Sequence, residues 1–179
     1  QIAPGIDGIA SNRFSYVWSY KNRVWFIERD TLNVWYLPVD QIGGTANVFP
    51  LGGIFPRGGS LLWGQSWSLD SSGDGGLSAQ NVFVTTEGEV ASYQGLSPES
   101  ADSWSIVGVY QIGTPLGKKA WIRAGGDLII ATTLGMIPLG RAISTDYAGL
   151  GLIAISNPIA DQWKEYFYCE AMPAGVLVS

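Results

Sequence analysis

"NVFVTTEGEVASYQG", residues 81–95, reads as a short apolar run, a glycine-bearing turn and a second apolar run. Related wording returns as "GDLIIATTLGMIPLG" at 126–140 and, more loosely, as "NRVWFIERDTLNVWYLP" at 22–38. A supersecondary phrase that recurs at intervals of about 45 to 60 residues marks a repeat architecture. The first valine or leucine of each apolar run, Val24, Val82, Leu128 and Val176, gives spacings of 58, 46 and 48 residues. A second marker sets Gly53 against Gly108 and Gly58 against Gly113, each pair 55 residues apart. Ile54-Phe55 and Val109-Tyr110 lie inside those pairs.

Around the quoted stretch the sequence predicts four strands. They are Leu61 to Trp67, Val82 to Thr85, Glu89 to Tyr93 and Ser105 to Ile112. Glu87-Gly88 makes the tight turn between the second and third, where glycine suits the positive φ of a short hairpin loop. Leu134-Gly135 repeats that device, whereas Asp30-Thr31 lacks the glycine and predicts a different turn with one more residue. The second strands, "VWFI", "VFV", "LII" and "VLV", show no polar alternation, so both of their faces are expected to be covered.

Four-stranded antiparallel units of this length predict an all-β chain, a partial β-propeller with one short helix near the C-terminus. The expected blades are 14–55, 61–112 and 120–145, with the start of a fourth at 166–179. The helix is expected over about 158–166: Asn157 as cap, Pro158 in the first turn, and Ile159, Trp163, Tyr166 and Phe167 on one face. Residues 141–156 read as a long connection. A propeller needs at least about four blades to close, so closure calls for further sequence or another copy. Because the sequence opens on Gln1, the chain is expected to be a fragment or a processed product.

Composition supports a folded β domain. Of 179 residues, 46% are hydrophobic and 14% charged, with 24 Gly, eight Trp and eight Tyr. That is enough apolar surface to offset the entropy of ordering. The formal charge of −5 argues against tight nucleic-acid binding, which needs clustered Lys and Arg, yet permits DNA to pass nearby. No apolar run is long enough to predict a membrane span.

The chemical inventory is thin. With no histidine and only Cys169, there is no imidazole base, no internal disulfide and no His-based metal site. Cys169 reads as a packed thiol. "PLGKKA" lacks the leading glycine and the hydroxyl of a phosphate loop, so Lys118-Lys119 reads as a solvated turn. Asp70, Ser72, Asp74 and Gly75 spell the first half of a calcium loop, but its twelfth position falls on Asn81, which has no bidentate carboxylate. A Ser-Gly-Asp hairpin loop is therefore preferred to a calcium site. Glu87 and Glu89 are the one close carboxylate pair in a blade hairpin; as hairpin tips in water they are preferred to a glycosidase pair. Asp127 and Glu28 read as strand ends in water. The tryptophans, Trp18, Trp25, Trp35, Trp63, Trp67, Trp104, Trp121 and Trp163, read mainly as packing between blades. Trp35-Tyr36 and Trp104 stand out as exposed candidates for stacking on a sugar. No catalytic, cofactor-binding or metal residue is assigned.

Three runs carry a family resemblance: "YKNRVWFIERDTLNVWYLPVDQIGGTANVFPLGGIF" (20–55), "VFVTTEGEVASYQG" (82–95) and "IGTPLGKKAWIRAGGDLIIATTLGMIPLGRAI" (112–143). They resemble structural proteins of tailed bacteriophages and prophages. More narrowly, they are similar to the large β-propeller proteins of short-tailed virions, of the tail nozzle, hub or packaged-DNA-stabilisation kind. The resemblance implies a non-enzymatic tail or head-to-tail component that contacts other virion subunits and forms a homo-oligomer in its full-length context. It implies a place in the virion, or in the host cytoplasm before assembly, with no cofactor. A carbohydrate-binding propeller for receptor recognition and a glycosidase-like enzyme are the alternatives.

Overall fold

The computed structural model describes residues 5–68 and 79–170, the side chains of 167–170 aside. The chain opens with β1 (Ile6–Asp7) and a 3-10 turn, Ser11–Arg13. Next come β2 (Phe14–Tyr20), β3 (Arg23–Glu28), β4 (Asn33–Tyr36), β5 (Gly44–Thr45) and β6 (Asn47–Pro50). A first antiparallel sheet has the order β2-β3-β4-β6, while β1 and β5 form a small parallel pair. The second sheet follows the chain: β7 (Leu61–Trp67), β8 (Gln80–Thr85), β9 (Glu89–Gly95) and β10 (Trp104–Gln111). The third has three strands, β11 (Trp121–Ala124), β12 (Asp127–Thr132) and β13 (Gly135–Pro138). Short helices α1 (Leu139–Ala142) and α2 (Leu150–Ile153) follow, then α3 (Ala160–Glu170). The body of the molecule is thus all-β, built from antiparallel sheets of three and four strands.

The repeat is visible in the strand bounds. β3, β8 and β12 each hold six residues and start at Arg23, Gln80 and Asp127. The true offsets are therefore 57 and 47, so Val24 corresponds to Asn81 and Leu128. Val24, Val82 and Leu128 do lie in three separate sheets, but Val82 is one residue out of register and points to the opposite face. The glycine marker fails as well: Gly53 sits in a turn after β6, whereas Gly108 lies inside β10.

Strand alternation fixes which sheet each side chain meets. In β8, Phe83 joins the core shared with the first sheet, beside Trp25, Ile27 and Tyr36. Its neighbours Val82 and Val84 point the other way, into the core shared with the third sheet, beside Leu128, Ile130 and Ile137. Both faces are therefore covered, which removes any use for polar alternation; each large side chain fully buried contributes about 1.5–3 kcal/mol. The front of the first sheet is partly covered by the segment around β1 and β5, where Ile6, Phe14 and Trp35 pack round Phe26, Leu37 and Ala46.

Two close approaches leave no room for a side chain, the first of them between sheets. A β-carbon on Gly64 of β7 would overlap the indole of Trp18 from β2. Gly88, at φ +77°, lies in the β8–β9 turn against the Gly113 carbonyl, where any side chain would collide. The β3–β4 turn spans Arg29 to Leu32, with Asp30 in the left-handed region at φ 58°.

Three expectations need correction. The unit at 120–145 has no fourth strand: α1 and α2 bury Leu139, Ala142 and Leu150 there instead. The free edge of β13 is closed by Ile155 N–H donating to the Met136 carbonyl at 2.9 Å, and by Met136 N–H donating to Ser156 Oγ at 3.0 Å. The helix placed at 158–166 is a 3-10 turn, Asn157–Ile159, followed by α3 from Ala160 to Glu170. Asn157 is inside that turn and makes no side-chain cap, and Ser156 occupies the cap position. Residues 166–170, expected to begin a fourth unit as strand, continue α3. With no Gly or Pro between Ala160 and Glu170, helix propagation outweighs the strand preference of Tyr166, Phe167 and Tyr168. Residues 171–179, with Val176, lie outside the described residues, as do Asp70 to Asp74.

Candidate protein-interaction surface

Glu28, Glu89 and Asp127 are committed to structure. Glu28 is 6% exposed rather than in water. Its carboxylate accepts from Trp35 Nε1 at 3.0 Å, Asn33 Nδ2 at 3.1 Å and Arg13 at 2.6 Å. The Trp35 indole does most to hold its carboxyl below the ordinary range; burial opposes this, and Asn33 and Arg13 assist. Glu89 is likewise buried, accepting from Arg57 N–H at 3.1 Å, while Glu87 is exposed at the turn. The pair therefore splits between a buried structural acid and a solvated one, and Glu89 is no hairpin tip in water. Asp127 accepts from Trp67 Nε1 at 3.1 Å, Leu128 N–H at 2.8 Å and Gly140 N–H at 2.9 Å. It ties the second sheet to α1 instead of ending a strand in water. Lys118 and Lys119 are exposed turn residues. Among the described residues no three His, Cys, Asp or Glu side chains come together as a metal site.

Arg23, 7% exposed, clamps the first two sheets. Its guanidinium carbon stands 5.5 Å from the centre of the Tyr36 ring, and it donates to the Leu37 carbonyl and to Ser97 Oγ, both at 3.4 Å. Glu99 lies 3.8 Å away. Burial first, and then the Glu99 charge, push the Tyr36 phenol up.

The tryptophans are buried or half-buried. Trp18, Trp25, Trp63, Trp67 and Trp104 are buried, and Trp35, Trp121 and Trp163 are half-buried. Tyr36 and Trp104, expected as exposed stacking platforms, are 4% and 7% exposed. Trp104 stacks on Trp25 and Tyr93 at ring distances of 5.5 and 5.4 Å, so no flat face is left for a sugar. The expected buried face of the terminal helix is also open: Ile159 and Tyr166 are exposed. Of that set Trp163 is anchored, donating to the Thr132 carbonyl at 3.1 Å. The side chains of Phe167 and Cys169 lie outside the described residues.

What remains exposed is apolar strand surface. Ile122 on β11 is 56% exposed, and its strand partner Ile129, with Ala131 and Met136, is half-buried on the same face. That face is the back of the third sheet and takes no part in any core cluster. Val17 on β2, 58% exposed, stands on the front of the first sheet opposite Phe26. Sequence alone passes over both residues, since each is a lone aliphatic in a short strand. Their signal emerges only when the 57- and 47-residue offsets align the strands.

No helix among the described residues is long and apolar enough to cross a membrane. Comparison of the chain with protein-family models, with curated proteins and with solved structures found no match.

Proposed function

We propose that the chain is a non-enzymatic structural protein whose three sheets are consecutive blades of a β-propeller, acting through protein–protein contacts in the tail or head-to-tail region of a phage or prophage virion. The observation that carries the propeller reading is the 3.2 Å hydrogen bond from Trp121 Nε1 to the Tyr16 hydroxyl, which joins the innermost strands of the first and third sheets. Sheets stacked face to face lie about 10 Å apart, so a flat pile would hold the first and third about 20 Å from each other. Two side chains do not span that distance. Inner strands β2, β7 and β11 that converge while the outer strands spread, as blades do about an axis, would bring the two side chains together.

The virion role rests on the resemblance in residues 20–55, 82–95 and 112–143, and it suits the rest of the surface. Glu28, Glu89 and Asp127 serve as internal fasteners, and the aliphatic side chains Val17 and Ile122 remain open on their strands. A net charge of −5 suits a wall along which DNA moves without adhering. The buried state of Trp104 and Tyr36 weighs against the sugar-binding alternative.

The test is immunogold labelling of intact particles with antibody raised to the chain. Label at the tail or portal vertex is expected; label found only in the particle-free fraction overturns the virion role. A glycan array is expected to be blank. Glycosidase activity that disappears in Glu89→Gln, with the fold retained, would instead establish the enzyme reading.

A further inference from the structure

The repeat register identifies which surface the open faces fit. At the inner strands, Trp18, Gln65 and Ile122 occupy equivalent back-face positions, paired with Trp25, Val82 and Ile129. Val17, Gly64 and Trp121 occupy the equivalent front-face positions, paired with Phe26, Phe83 and Ile130. Where the first sheet meets the second, back-face Trp18 lies on front-face Gly64. Where the second meets the third, back-face Trp63 packs on front-face Trp121 at a ring distance of 5.7 Å. Two positions in the scheme have no counterpart among the described residues: back-face Ile122 and front-face Val17. They are also the most exposed aliphatic residues on any described strand, at 56% and 58%.

We infer that a second copy of this chain docks here head to tail, the inner strand of its first sheet meeting the back of the third, so that Ile122 meets Val17 of the other copy. This inference rests on the blade reading above. A second copy is the favoured occupant because each chain carries both unlike halves of the joint, and because a back face meets a front face twice within the chain, although Trp63 rather than the equivalent Gln65 meets Trp121. Ile129, Ala131 and Met136 extend the apolar row on one side; on the other, Val17 stands exposed on the inner strand beside the part of the front that the β1–β5 segment covers. Two copies bring six sheets, within the range of about four to eight that closed propellers use. A head-to-tail contact closes into a ring when the rotation is a whole fraction of a turn, a half turn giving the dimer, and otherwise grows into a filament.

Sedimentation of the 179-residue chain tests this. The wild type is expected to be a dimer, twice 19.2 kDa. Val17→Lys and Ile122→Glu alone each place one unpaired charge in both joints, and each is expected to weaken dimerisation at least about tenfold. An equimolar mixture of the two variants forms one Lys–Glu joint and one native joint, so dimers should return. Circular dichroism of each variant confirms that it is folded. A wild-type monomer, single variants that stay dimeric, or a mixture without rescue overturns the inference. The Trp121 indole N–H resonance, compared between wild type and Tyr16→Phe, separates the two levels. A monomer whose resonance moves keeps the blade reading and loses the dimer; a resonance that does not move removes both.

Discussion

Tyr16 and Trp121, 105 residues apart, share a hydrogen bond of 3.2 Å between sheets that have another sheet between them. Neither belongs to a hairpin with the other, so the contact depends on how the three sheets are set against one another. Burial raises the Tyr16 phenol above its usual range, and the indole donor partly offsets that shift, so the hydroxyl stays protonated and accepts from the indole at neutral pH.

Tyr16→Phe removes this acceptor and leaves the Trp121 indole N–H to find water. Urea denaturation is expected to show a loss of about 1 kcal/mol. Trp121→Ala should cost more, about 3 kcal/mol, since it also removes the packing on Trp63. Paired with Tyr16→Phe in a double-mutant cycle, the two should be non-additive. Additive losses would mean that the contact does not form in solution.

Gly64 admits the Trp18 ring because it has no side chain. Gly64→Val should force the first two sheets apart at their inner edge, costing about 3 kcal/mol, the upper part of the overpacking range. Tryptophan fluorescence should shift to the red as Trp18 meets water. Gly64→Val with wild-type stability and emission would contradict the close approach.

Asp127 fastens Trp67, the start of β12 and the first turn of α1. Asp127→Ala leaves these donors unpaired and should cost about 2 kcal/mol. Hydrogen exchange should speed up at Gly140 and Leu128 while the first sheet keeps its protection. Uniform loss of protection would show that the fastening is not local.

Glu28 supplies a pH dependence of known sign. Its folded carboxyl titrates below the ordinary value of 4.5, so its contribution is fully present above that value and is lost as pH falls below it toward the lowered folded value. Thermal melts should show an acid limb there, and Glu28→Gln should flatten that limb while lowering stability at neutral pH. A variant with an unchanged acid limb would assign the dependence to other carboxylates.

The second unit was legible because Gly88 marks its central turn and Val82 to Val84 form an uninterrupted apolar run. The register was not. Val82 looks like the partner of Val24 and Leu128, yet the equivalent residue is the fully buried Asn81, which accepts from Trp18 Nε1 at 2.8 Å. An amide is apolar-equivalent only when a particular donor waits for it, and that donor comes from another sheet. Glu28 and Glu89 misled for the same reason, since their partners Trp35 and Arg57 converge only in the fold. The α3 segment misled differently: its aromatics suit either structure, and continuity with the preceding helical turns decided the outcome.

The sequence by itself determined the hairpins and the two-sided burial of the second strands, because these follow from local turn stereochemistry and from side-chain alternation along a single strand. Only the tertiary structure decided which faces meet, which acids are buried and which aliphatics stay exposed. Those outcomes depend on partners from distant segments, and a one-residue change of register exchanges one face of a strand for the other.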